Sequence, residues 1–161
     1  MTAFDCRRRR FVRSPGSSLA EVVEWVAVAG RPETLLALIR DYSQRPRFLP
    51  DGWRYLRGFG VQSGVGAQME IEARVGPGAT THVVQLLSEG DDFIDEGPPG
   101  GENYLTTWTV QARGEDTLVQ VEMRFRYGGL VGEFFVRKRL RRALRQMLQR
   151  LKALAEARWL I

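Results

Sequence analysis

Residues Tyr104 to Tyr127 read YLTTWTVQARGEDTLVQVEMRFRY, and Leu130 to Ala157 follow with LVGEFFVRKRLRRALRQMLQRLKALAEA. The first stretch alternates apolar and polar side chains on both sides of Gly114-Glu115, the period of paired strands, while the second repeats its apolar residues at helical spacing. A two-residue turn at Gly114-Glu115 sets Ala112 opposite Thr117, Val110 opposite Val119, Trp108 opposite Val121, Thr106 opposite Met123 and Tyr104 opposite Phe125. Arg113 and Asp116 then close the outer face. In the helix, Phe134, Val136, Leu140, Ala143, Leu144, Met147, Leu151 and Leu154 form the apolar set, and Arg and Lys fill the rest. At ~1.5 Å per residue such a helix spans ~40 Å, enough to cross a curved seven-stranded sheet. Gly128-Gly129 frees the turn that joins strand to helix.

The period of two extends backward from this hairpin, with strands predicted near 92–96, 79–89, 66–76 and 53–61 and with glycine or proline at the junctions. If Pro77-Gly78 is a two-residue turn, Ala73 faces His82, Ile71 faces Val84, Met69 faces Leu86 and Glu70 faces Gln85. A three-residue loop would instead set Met69 against Gln85. Both proposed two-residue registers sort side chains onto one mainly apolar face and one polar face, as in a sheet buried on one side. Nearer the N-terminus, Glu21 to Ala29 (EVVEWVAVA) reads as a buried strand. Gly30-Arg31-Pro32-Glu33 breaks it, and Pro32 suits the first turn of a helix. Leu35, Leu36, Leu38 and Ile39 stripe that helix, which ends near Asp41. A second short helical or turn segment, Ser43 to Leu49, stops at Pro50-Asp51-Gly52. The expected fold class is α+β: a curved seven-stranded antiparallel sheet around a long C-terminal helix, with two short helices between strands one and two.

At 161 residues the chain has the size of one domain, and its 43% hydrophobic and 27% charged residues exclude both a disordered chain and a membrane-embedded one. Residues 1–18 carry Arg7, Arg8, Arg9, Arg10 and Arg13 and read as a flexible basic N-terminal arm; residues 19–161 read as a single domain. Cys6 is the only cysteine, so no internal disulfide is expected. No apolar run approaches the roughly 20 residues that span a bilayer, and the N-terminal arginines precede no signal-type apolar segment, so a cytoplasmic location is expected. The net charge of +5 comes largely from the arm and from Arg137, Lys138, Arg139, Arg141, Arg142, Arg145, Arg150 and Lys152. Arginine outnumbers lysine 22 to 2, which fits both phosphate recognition and a biased genome.

The segment Gly30-Arg31-Pro32-Glu33-Thr34-Leu35-Leu36-Ala37-Leu38-Ile39-Arg40-Asp41 is similar to the A-P-P-E-x-V-W-x-x-L-x-D opening of the SRPBCC or START-like superfamily. Gly30 and Arg31 stand in place of Ala-Pro there, and Leu36 replaces the aromatic. Arg47-Phe48-Leu49-Pro50 resembles the segment before strand two in the polyketide cyclase and coenzyme Q-binding branch. The glycines Gly64 and Gly66, Asp116-Thr117 at the start of the last strand, and Leu151-Lys152 leading to Glu156 also fit. The resemblance covers roughly residues 21 to 157 and rests on the order and spacing of its motifs. It implies a helix-grip fold with a cavity between sheet and helix. The superfamily has no shared catalytic signature, so no catalytic residue is transferred.

The two registers turn Met69, Ile71, Leu86, Tyr104, Trp108, Val121, Met123, Phe125 and Tyr127 inward, faced by Phe134 and Leu140 on the helix. Aromatics mixed with flexible Met suit an adaptable apolar pocket, and the same residues also suit a filled core. Tyr104 and Tyr127 can present hydroxyls to a bound polar group or satisfy them on nearby backbone. His82, the only histidine, points inward near the mouth end of the sheet, where it fits a general base or a structural imidazole. One His and one Cys far apart offer no metal spacing, and no cofactor is expected. Asp91, Asp92, Asp95 and Glu96 read as an acidic cluster near a strand edge. GVQSGVG joins two strands and opens no helix, so it is read as a hairpin turn and not a phosphate loop. Three functions fit: a binder or transporter of a hydrophobic small molecule such as a lipid, quinone or polyketide; a cyclase or dehydratase using His82 with Tyr104 or Tyr127; and a protein of RNA or anionic membrane surfaces acting through its arginines, without DNA specificity.

Overall fold

A computed structural model describes residues 18–101, 103–127 and 130–159, with the side chains of 18, 19, 127, 130, 131 and 159 left aside. Most of the expected basic arm and the Gly128-Gly129 turn lie outside the described residues. Strand β1 (Ser18–Ala29) is followed by helix α1 (Pro32–Arg40) and a 3-10 turn (Tyr42–Arg47). Six further strands follow: β2 (Arg54–Phe59), β3 (Gln68–Arg74), β4 (Ala79–Glu89), β5 (Phe93–Gly97), β6 (Tyr104–Arg113) and β7 (Asp116–Tyr127). Helix α2 (Leu130–Trp159) closes the chain. The strands form one antiparallel sheet in the order β1-β7-β6-β5-β4-β3-β2, and bulges at Tyr55/Arg57 and Leu86/Ser88 bend it. This is the helix-grip arrangement.

Pro32 starts α1, and Leu35, Leu38 and Ile39 bury its inner face. Asp41 ends it by turning extended and pairing with Ser63, while its carboxylate accepts from the Ser43 amide at 3.0 Å and the Ser43 hydroxyl at 2.6 Å. That cap starts the 3-10 turn and so aims Arg45 into the core.

The β6–β7 hairpin has the expected register throughout, from Tyr104 opposite Phe125 to Arg113 opposite Asp116. The β3–β4 hairpin differs from both registers considered. Pairing stops at Arg74 opposite Ala79, which leaves the four residues Val75 to Gly78 as the loop. Met69 therefore faces Val84, Ile71 faces His82 and Ala73 faces Thr80. Arg139 of α2 donates to the carbonyl of Gly76, and that carbonyl is satisfied without a ladder partner. Because the slip is of two residues, every side chain keeps its face.

The acidic cluster also differs from its expected edge position. β5 lies in the middle of the sheet, Asp91 and Asp92 are exposed beside it, and Asp95 and Glu96 are buried within it. Asp95 accepts from Ser88 at 3.0 Å and Thr107 at 2.8 Å on one face of the sheet, and Glu96 turns to the other.

Helix α2 lays Val136, Leu140, Leu144, Met147, Leu148, Leu151 and Ala155 on the sheet's inner face. Its flanks are tied down by polar contacts. Lys152 donates to the Ala27 carbonyl at 2.7 Å, Glu156 accepts from the Ala29 amide at 3.1 Å, and Glu24 meets Arg141 and Arg145, so the helix covers part of the open β1 edge. On the opposite flank, Gln146 and Asp51 exchange two hydrogen bonds, and Arg150 donates to Asp51 and to the Leu49 carbonyl. Among the described residues no helix is long and apolar enough to cross a membrane.

Candidate functional site

Between α2 and the sheet lies an apolar cavity of about 270 Å³. Inward positions of β3, β4, β6 and β7 supply one wall, and the helix stripe supplies the other. Of the residues expected there, Met69, Ile71, His82, Tyr104, Trp108, Met123, Phe125 and Leu140 line it. Leu86 and Val121 are fully buried in the adjoining core and do not reach the space. The side chain of Tyr127 lies outside those described.

Phe134 requires a correction, because it projects into solvent and does not face the sheet. At about 100° per residue it falls past the edge of the buried stripe, which runs from Val136 round to Leu148. Ala73, Val84, Thr106, Leu144 and Met147 complete much of the wall. All five sit on the faces already assigned as inward, and the strand and helix periods were sufficient to find them.

The cavity has a wet end and a dry end. Exposed Thr80 and partly buried Val75, Gly76 and His82, all at the β3–β4 tip, form the mouth. The floor is built by Arg45, which neither period nor motif marked, and Glu96, expected only in an acidic edge cluster; their side chains are only 3% and 4% exposed. Arg45 grips Glu96 with both terminal nitrogens, at 2.9 and 2.8 Å. Tyr42 donates to the Oε2 of Glu96 at 2.9 Å, and the Trp108 indole donates to Oε1 at 2.8 Å. Each carboxylate oxygen thus accepts two hydrogen bonds, which satisfies the buried anion.

Aromatic faces enclose the cation as well. The Arg45 guanidinium carbon lies 5.2 Å from the Tyr42 and Phe48 ring centres and 5.4 Å from that of Trp108. Burial works against the Arg45 charge, but the charge and hydrogen bonds of Glu96 outweigh it and hold the pKa above its ordinary value. Burial, with the Glu96 charge beside it, pushes the Tyr42 phenol far up, so Tyr42 stays a neutral donor. Arg45 Nε is buried and makes no hydrogen bond.

At the mouth, His82 Nε2 lies 2.8 Å from the Thr80 hydroxyl, and its ring meets Tyr104 edge to face at 6.0 Å. The Tyr104 hydroxyl donates to the Val83 carbonyl at 3.4 Å, and burial pushes its pKa well up. Burial also pulls His82 below the ordinary imidazole value of 6.5. The unfolded chain takes up the proton first, so the stability contributed by neutral His82 is present above 6.5 and is lost as pH falls through the lower folded value. Denaturation midpoints are expected to drop on acidification through this window, and His82→Gln is expected to flatten that drop. Among the described residues no three His, Cys, Asp or Glu side chains come together in a way that could hold a metal ion.

An antiparallel sheet wrapped on a long helix, with an apolar cavity between them, defines a START-like domain of the type that binds hydrophobic ligands. The chain belongs to the polyketide cyclase/dehydrase and lipid transport family, whose sequence profile matches residues 20–156. No curated protein matches the sequence. Among solved structures it is similar to the KanY protein, with 22% identity, a TM-score of 0.77, and 86% of this chain and 99% of that one covered. It is similar to a START superfamily protein from Mycobacterium smegmatis, with 17% identity, a TM-score of 0.63, and 85% and 97% covered. It also resembles the di-domain ARO/CYC StfQ of the steffimycin biosynthetic pathway, at 16% identity and a TM-score of 0.65, covering 90% of this chain and 52% of that one. At these identities the likeness is one of fold.

Proposed function

We propose that the protein binds and carries a hydrophobic small molecule of lipid, quinone or polyketide type in the cavity between sheet and helix. The observation that carries this reading is the unfilled apolar space itself. Its 270 Å³ exceed the about 150 Å³ of an engineered dry cavity that takes up benzene, so there is room for more than a single ring. Met69, Met123 and Met147 line it and can repack around different shapes. The Arg45–Glu96 pair marks the polar end of the cavity.

The side chains favour carriage over catalysis. Glu96 has no lone pair left to accept a substrate proton, and His82 meets the Thr80 hydroxyl and not a carboxylate. Native mass spectrometry of protein purified from cells is expected to show a copurified mass. Titration with a fluorescent fatty-acid probe is expected to show saturable one-to-one uptake. Absence of both would sink the reading.

A further inference from the structure

Phe134 and Phe135 are 65% and 59% exposed, and their rings pack edge to face at 5.7 Å. Both stand on α2 immediately before Val136, which lines the cavity, and one turn before Arg139, which binds the Gly76 carbonyl in the mouth loop. Phe135 thus lies on the side of the mouth loop, with Phe134 packed against it. At about 100° per residue, Lys138, Arg142 and Arg145 share the arc of the two rings, away from the buried stripe, and Arg139 lies beside it.

The acids near this arc are Glu133, paired with Arg137 at 3.0 Å, Glu24, which meets Arg141 at 3.4 Å and Arg145 at 3.0 Å, and Asp51, which pairs with Arg150 and feels the charge of Arg142. Lys138, Arg139 and Arg142 form no ion pair among the described residues. The face thus joins uncovered aromatic rings to an excess of positive charge near the rim of an apolar cavity.

The geometry points to an anionic lipid bilayer as the partner of this face, with Phe134 and Phe135 inserted among the lipid chains, the cations on headgroup phosphates, and the mouth held against the bilayer. Phenyl rings stack on RNA bases as well as enter lipid, and the poly(U) arm of the test separates the two. Their place at the rim of a dry cavity calls for an apolar cover. The purpose of docking rests on the carrier reading, since a hydrophobic ligand would pass between bilayer and cavity without crossing water. The docking itself is tested separately.

Full-length protein is incubated with phosphatidylserine–phosphatidylcholine vesicles, with pure phosphatidylcholine vesicles and with poly(U) RNA, and bound protein is measured by sedimentation or electrophoretic shift. Binding is expected on the anionic vesicles and is expected to weaken with salt. Phe134→Ser/Phe135→Ser is expected to lower vesicle partition by roughly tenfold or more. Lys138→Glu/Arg142→Glu is expected to lower it by at least roughly fivefold per cation reversed. Both variants change exposed positions, so their thermal melts and their uptake of the fatty-acid probe in vesicle-free buffer should match the parent. Vesicle partition that the phenylalanine variant leaves unchanged would overturn the proposal. So would poly(U) binding that this variant weakens as much as it weakens vesicle binding, since the face would then belong to RNA. If the unmutated protein fails to bind the anionic vesicles yet takes up the probe, docking alone is removed, whereas vesicle binding by the unmutated protein without probe uptake removes the carrier reading alone.

Discussion

Replacing Arg45 with methionine is expected to destabilise the fold by about 3–5 kcal/mol, because it leaves the Glu96 carboxylate buried without its cation. Two of the four hydrogen bonds on Glu96 come from Arg45. The remaining donors, Tyr42 and Trp108, are neutral dipoles and cannot offset the cost of a dehydrated anion. The aromatic enclosure of Tyr42, Phe48 and Trp108 would also lose the charge it is built around. Since a domain of this size has only about 5–15 kcal/mol of stability, poor recovery of the variant is itself an expected result. Arg45→Lys keeps the charge and loses the two-pronged geometry, and its expected cost is smaller, about 1–3 kcal/mol.

Urea denaturation of the series measures these costs. The double variant Arg45→Met/Glu96→Gln removes both charges and is expected to be more stable than the sum of its single changes by about 1–3 kcal/mol. Additive costs would show that the two side chains are near one another without depending on one another.

This pair also marks where sequence reasoning stops. The β6–β7 register was legible because Gly114 takes the left-handed conformation, with φ of 64°, that a tight turn needs, and because one alternating pattern runs on each side of it. The β3–β4 register was less legible. Val75-Gly76-Pro77-Gly78 permits several loop lengths, and the contact between Arg139 and Gly76 that accompanies the longer loop joins residues 63 apart. The faces were still assigned correctly, because the slip is even. Phe134 was misplaced by grouping it with the helix stripe through hydrophobicity alone, when its spacing puts it past the edge of that stripe, where it is exposed. Arg45 and Glu96 carry no local signal. Each is a charged residue among charged neighbours, and their burial exists only because the cap at Asp41 and the central place of β5 bring them together across 51 residues.

Ala73→Trp is expected to weaken uptake of the fatty-acid probe by about 100-fold or more while leaving a folded protein. Ala73 is buried, lines the cavity and lies opposite Thr80, so an indole at this position enters the space just inside the mouth. Forcing bulk into a filled core costs about 1–3 kcal/mol. Here part of that cost is offset, because the new ring gains contacts with walls that previously faced empty volume. The polar floor is on the other side of the cavity and should keep its hydrogen bonds, so the denaturation midpoint is expected to fall far less than in Arg45→Met. The contrast is the informative feature: one substitution removes stability at the floor, and the other removes capacity near the mouth. Binding titrations alongside thermal melts separate the two. Probe affinity that survives in Ala73→Trp would place the ligand outside this cavity. A melt lowered as much as that of Arg45→Met would mean that the space around Ala73 cannot accept a ring and that lost uptake reflects an altered fold.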